Sequence, residues 1–179
     1  MRKNLLERLN FATSAYWNGA DCSETVMSAM SGVDVRDVRK KGDDMVFIRP
    51  VLGSVGLDCG PIGIDKSKGV DGVRMLVKKA GQVLQEDKSV VGVYVHVEAE
   101  GEELYLGKRG HDLGVFSSDS LPANSRRWVG REFVVVDTAL HPGLFPCESM
   151  SDQDLEKRLG IYQEHGGNIS AGVVRRKQG

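Results

Sequence analysis

Val91-Gly-Val-Tyr-Val-His-Val97 alternates valine with other residues at every second position. Period-two patterning is the mark of a β-strand, because successive side chains leave a strand on opposite faces. It predicts a strand with Val91, Val93, Val95 and Val97 on one buried face. What flanks this strand decides the fold. On its N-terminal side the pattern is helical. Asn4 and Glu7 can form a capping box for a first helix carrying Leu5, Leu9, Ala12 and Tyr16 on one side, with Gly19 as its stop. Asp21 and Glu24 repeat the device for a second helix from Cys22 to Met30, ending at Gly32. Val35 and Val38 suggest a short further helix, Met45 to Leu52 a strand broken by Pro50, and residues 52–69, rich in Gly and Asp, a loop. Val70, Val73, Val77, Ala80 and Leu84 mark an amphipathic helix.

On the C-terminal side the pattern is mostly extended. Glu103 to Leu106, His111 to Phe116 and Phe133 to Val136 read as strands, with Ser117 to Arg131 a long polar loop. Ser151 to His165 closes the chain as a helix, and Gly166-Gly167 stops it. Helices first and an antiparallel sheet second predict an α+β domain. Residues 1–170 are expected to form one domain and 171–179, which contain Arg175-Arg-Lys177, a basic tail.

Composition narrows the function classes. Lys plus Arg number 24 against 25 Asp plus Glu, for a net charge of -1. That balance gives no support to a nucleic-acid partner. No stretch approaches the run of about 20 apolar residues that spans a bilayer. Met1-Arg-Lys is followed by Asn-Leu-Leu-Glu-Arg rather than by a signal-peptide core. The expected location is the cytoplasm, or a target cell reached by export without a cleavable signal. The three cysteines, 22, 59 and 147, are odd in number and far apart. They predict neither a disulfide framework nor a zinc site, so no metal or other cofactor is expected.

The chemistry-bearing residues are Cys22, His111 and Asp137. Cys22 stands in the first turn of a predicted helix, where the positive end of the helix dipole favours thiolate. Asp21 and Glu24 oppose that effect, so an imidazolium partner is needed. His111 opens one predicted strand and Asp137 closes another. If these strands are antiparallel neighbours, the start of one lies beside the end of the other. A thiol, a base and an orienting carboxylate would then share one rim of the sheet. Two of them also have a plain structural role open to them: Cys22 as a small core side chain beside Val26 and Ala29, and Asp137 as a turn-former ahead of Thr138. Cys59, in Gly56-Leu-Asp-Cys-Gly-Pro, is the rival nucleophile, and His141, four residues past Asp137, the rival base. Cys147 is expected in packing or an exposed loop, His96 on the surface, and His165 in the last turn of a helix.

A Cys at the head of an N-terminal helix, a Gly-His before an apolar strand and an Asp ending the next strand resemble the papain-like cysteine hydrolases. The likeness is strongest to the small Cys-His-Asp bacterial toxins and effectors that include glutamine deamidases. It rests on residues 18–31 and 90–140. The resemblance implies a papain-like α+β fold and amide hydrolysis, protease or deamidase, on a protein or peptide substrate. Cys22 would be the nucleophile, His111 the base and then acid, Asp137 the orienting group, and Asn18 an oxyanion donor beside the Cys22 N–H. Asn18-Gly19 also reads as a simple turn. Asp21-Cys-Ser23 is similar to the NlpC/P60 cell-wall amidases as well, although Glu24 stands where these normally have Gly. A non-catalytic binding module remains the alternative from another class. It would have Cys22 in the core, the loops 52–69 and 117–131 as a partner surface, and Trp128 as an anchor.

Overall fold

The computed structural model describes residues 2–36, 48–62, 70–99, 110–123, 125, 131–140 and 144–178. Six strands form one antiparallel sheet in the order β1-β6-β2-β3-β4-β5. The strands are β1 (Leu57–Ile62), β2 (Val90–Ala99), β3 (Gly110–Ser117), β4 (Phe133–Val136), β5 (Cys147–Met150) and β6 (Gly167–Arg176). Helices α1 (Leu5–Trp17), α2 (Cys22–Ser31) and α3 (Ile48–Ser54) precede β1; α4 (Val70–Glu86) precedes β2, and α5 (Asp152–Glu164) precedes β6. The fold is α+β.

The first two helices begin where capping chemistry directs. Asn4 and Glu7 close a reciprocal capping box on α1, and Asp21 and Glu24 close one on α2. Gly32 ends α2 at φ 76°, a left-handed conformation that suits glycine. Each sheet face then buries its own core. On one face α1, α2 and α3 contribute Leu9, Met27, Met30 and Leu52, packed with Tyr94, Phe116, Val134 and Val136. On the other, α4 and α5 contribute Val73, Leu76, Leu155, Leu159 and Tyr162, packed with Val93, Val95, Val97, Leu113 and Val135.

The valine pattern needs one amendment. The β2 register shifts between Val90 and Gly92, and Val91 joins the α1–α2 core while Val93, Val95 and Val97 join the α4–α5 core. Both faces of this strand are covered, by α1–α3 on one side and by α4 and α5 on the other. Gly92 and Gly114 let α2 lie close against it. A Cβ on Gly92 would fall 2.7 Å from Met30 Sδ and 2.8 Å from Phe116 Cε1, and one on Gly114 3.1 Å from Val26 Cγ1. Gly92→Ala is therefore expected to cost about 1–3 kcal/mol through overpacking. A urea melt would show the lowered midpoint.

The sequence reading is corrected in three places. Residues 52–69 are not one loop: α3 ends at Ser54 and β1 follows. Pro61 is accommodated because β1 is an edge strand, and Pro50 because it lies in the first turn of α3. The predicted break at Pro50 is thus helix rather than strand over Ile48–Ser54. Residues 171–176 are not a tail. They are the second half of β6, held between β1 and β2, with Val173 and Val174 buried. The strand predicted at Glu103 to Leu106 and most of the short helix predicted around Val35 and Val38 lie outside the described residues.

Candidate active site

The Asp21 capping box fixes where Cys22 stands. Asp21 Oδ1 accepts from the Glu24 N–H at 2.8 Å, and Glu24 Oε2 accepts from the Asp21 N–H at 2.9 Å. Cys22 is the first residue of α2 and half-buried. The Thr25 N–H already reaches the Asp21 carbonyl. Of the first-turn amides, those of Cys22 and Ser23 are left without an acceptor inside the helix, as the geometry of a helix start requires.

His111 is the second residue of β3 and Asp137 directly follows β4. In the β3–β4 ladder Gly114 pairs with Val136, so the register carried one step further sets Asp137 across from Leu113. His111 lies two residues along on the same face, a diagonal neighbour. The two side chains meet: His111 Nε2 is 2.6 Å from Asp137 Oδ1, with side-chain exposures of 2% and 0%. The antiparallel neighbourhood read from the sequence is the one observed.

Asp137 is more completely held than a dyad requires. Oδ1 also accepts from the Ala139 N–H at 2.9 Å. Oδ2 accepts from Arg158 Nε at 3.0 Å and from the Tyr162 hydroxyl at 2.9 Å, and Arg158 Nη2 in turn donates to that hydroxyl at 3.1 Å. Arg158 and Tyr162 sit four residues apart on α5, on the helix face turned to the sheet. The His111 and Tyr162 rings are 5.3 Å apart. Each carboxylate oxygen thus accepts two donors, which fixes its plane and so the imidazole ring bonded to it.

The charges follow from this geometry. Burial pushes Asp137 toward neutrality, but the hydrogen bond and charge of His111, the Arg158 guanidinium and the Ala139 amide outweigh it and hold the carboxyl below its ordinary value. Burial likewise opposes the His111 cation, yet the Asp137 hydrogen bond and the Cys22 contact prevail, and its pKa is pushed up to about 9. Nε2 is engaged by Asp137, which leaves Nδ1 for Cys22. Among the described residues, buried Nδ1 closes no hydrogen bond of good geometry. The Cys22 sulfur is nevertheless near enough to favour the protonated ring. A loosely aligned thiol–imidazole pair is common in a resting site and tightens when substrate binds.

The other sequence candidates fall elsewhere. Asn18 caps the C-terminus of α1, and its Nδ2 donates to the Ser14 carbonyl at 2.8 Å, so this amide is engaged as a cap. Cys59 lies in edge strand β1, not in a glycine-rich loop; it pairs with Val174, and its sulfur lies over Gly172, where a Cβ would fall 2.4 Å from it. Cys147 is buried in β5, its sulfur 3.8 Å from Thr13 Oγ1, and burial pushes its thiol up to about 12. His141 and Trp128 lie outside the described residues. His165 caps the C-terminus of α5. His96 is not a free surface residue: its Nδ1 lies 2.6 Å from Asp112 Oδ1 across the β2–β3 ladder. Among the described residues no group of three or more His, Cys, Asp or Glu is arranged to hold a metal ion, and no helix is long and apolar enough to cross a membrane.

Arg158 and Tyr162 escaped the sequence reading. Their spacing was visible, but nothing in the sequence says that α5 lies over the end of β4. The chain matches no protein-family model, no curated protein and no solved structure.

Proposed function

We propose that the chain is a cysteine-dependent amide hydrolase of papain-like design, acting through Cys22, His111 and Asp137. The observation that carries this reading is the buried His111–Asp137 pair, with the free Nδ1 of the same imidazole left to a helix-borne thiol. An imidazole held on one nitrogen by a carboxylate, with its other nitrogen toward a thiol, has the arrangement that thiol catalysis requires. In the proposed reaction the Cys22 sulfur attacks the carbonyl carbon, and the tetrahedral oxyanion takes hydrogen bonds from first-turn amides of α2. The protonated Nδ1 then gives its proton to the departing nitrogen as the C–N bond breaks, leaving a thioester. Water enters as Nδ1 removes its proton, the C–S bond breaks, and the acid product leaves. Asp137 holds the ring throughout and stabilises its cationic form. A glutamine side chain would give ammonia and a glutamate; a peptide bond would give two chains.

p-Nitrophenyl acetate tests the nucleophile without knowledge of the substrate. The expected result is a burst of one nitrophenolate per chain and an acetyl group on the Cys22 peptide by mass mapping. Acetyl groups spread evenly over Cys22, Cys59 and Cys147 would reject the reading. Against a denatured protein mixture, ammonia release and new N-termini distinguish deamidase from protease.

The charge state of His111 gives a second test. NMR of the ring-labelled imidazoles should show His111 protonated at pH 7 and titrating near 9. Cys22→Ser and Asp137→Asn should each lower that midpoint, since each removes a group that favours the cation. A wild-type midpoint near the ordinary 6.5 would contradict the assigned contacts.

A further inference from the structure

Cys22 has a second histidine–carboxylate pair near it, which the proposed reaction leaves unused. His96 on β2 and Asp112 on β3 are directly paired across the ladder, Nδ1 to Oδ1, at 2.6 Å. Asp112 is the more buried partner, with 10% of its side chain exposed against 39% for His96, so the imidazole edge is what a ligand meets. Two positions before His96, on the same face, the buried Tyr94 hydroxyl donates to Ser23 Oγ at 3.3 Å, next to Cys22. Tyr94 interacts with Asp112 and with the Cys22 charge, and His96 feels the charge of His111. Gly110 lies beside the ring, where a Cβ would make only ordinary contact with His96 Cε1, at 3.5 Å. The Ser23–Tyr94–Asp112–His96 chain therefore joins the nucleophile's helix to a half-exposed imidazole.

We infer that His96, braced by Asp112, is a subsite for a carboxylate of the substrate beside Cys22. This rests on the reading of Cys22 as nucleophile and narrows it: the favoured substrate would carry an anionic group close to the amide that is attacked. With Nδ1–H given to Asp112, the imidazolium form has its Nε2–H left as the second donor, on the far side of the ring. The groups acting on His96 are Asp112 and His111 from β3 and Glu98 from its own strand, and β6 sets uncharged Ser170 opposite it. The Asp112 hydrogen bond leads, burial opposes it, and the net effect holds His96 above its ordinary value. The cation thus persists further toward neutral pH than a free imidazole would allow.

Iodoacetate and iodoacetamide are nearly isosteric and differ in charge, which makes their relative rates at Cys22 a direct probe. In His96→Gln the ratio of iodoacetate to iodoacetamide labelling should fall about threefold, the size of a half-exposed charge interaction. In His96→Lys, which restores a cation, the ratio should recover. A role in strand pairing alone would not separate two reagents by charge or be rescued by lysine. Rapid Cys22 labelling with the same ratio in wild type and His96→Gln would overturn the carboxylate subsite and leave the nucleophile standing. Labelling of Cys22 no faster than of Cys59, with either reagent, would overturn both.

Discussion

Cys22→Ser is expected to remove the nitrophenolate burst, and on an amide substrate Cys22→Ser and His111→Ala should each lower turnover by a factor of about 10⁴ to 10⁶. The double variant should be scarcely worse than either single one. In the proposed reaction sulfur and imidazole act as a unit: without the sulfur no thioester would form, and without the imidazolium the departing nitrogen would have no proton donor. Cys22→Ser should keep both fold and stability, whereas His111→Ala vacates a buried position and breaks the Asp137 pair, so it should keep the fold at a lowered melting point. Cys22 is half-buried at a helix start, and its replacement by serine leaves the Asp21–Glu24 capping box intact. Matching circular dichroism in both variants, and a matching melting curve in Cys22→Ser, would show that lost turnover is lost chemistry. Comparable residual turnover in Cys22→Ser and wild type would rule out thiol catalysis.

Asp137→Ala should produce the largest change in stability. It strips four donors of their acceptor at once: His111 Nε2, the Ala139 amide, Arg158 Nε and the Tyr162 hydroxyl. Arg158 is only 16% exposed at its side chain, so its charge is left largely buried and unpaired. Breaking a buried pair in this way costs about 3–5 kcal/mol. Asp137→Asn keeps the volume but offers one acceptor oxygen where two are used. It must forfeit either the His111 side or the Arg158–Tyr162 side, at about 1–3 kcal/mol. Its effect on turnover should be milder than that of Cys22→Ser, because nucleophile and base remain.

The pH dependence of the Asp137→Ala deficit has a definite sign. His111 is raised in the fold, so its contribution is full below its ordinary 6.5 and lost as pH rises through about 9. Asp137 is lowered, so its contribution is full above the ordinary 3.8 and lost as pH falls through its depressed value. The stability gap between wild type and Asp137→Ala should be widest between those ordinary values and narrow toward pH 9. Denaturant melts across this range would measure it.

What could be read in the sequence was what short-range chemistry dictates. Asn4 with Glu7 and Asp21 with Glu24 are complete capping signals, and they located α1 and α2 and set Cys22 at a helix start. The antiparallel placing of His111 and Asp137 followed from two short apolar runs. The errors came where tertiary context overrode local composition. Residues 57–62 include a glycine and a proline, which signal a turn, yet they form β1 because an edge strand needs hydrogen bonds on one side only. Arg175-Arg-Lys177 looks like a tail, but Val173 and Val174 ahead of it are buried and draw the strand into the sheet. The β-bulge that turns Val91 to the other face breaks a pattern that looked regular. Arg158, Tyr162 and Asp112 join the site through contacts across the sheet or between layers, and no spacing within the sequence reveals those.

Under the proposed function, Cys22 is a nucleophile made reactive by His111. Its most direct test is alkylation of the native protein with iodoacetamide at about pH 6–7, read by peptide mass mapping in wild type and His111→Ala. Stoichiometric label on Cys22 is expected, with Cys147 protected by burial, and a rate lower by at least about tenfold when His111 is removed. Slow and equal labelling of Cys22 and Cys59, or a Cys22 rate that His111→Ala leaves unchanged, would contradict it.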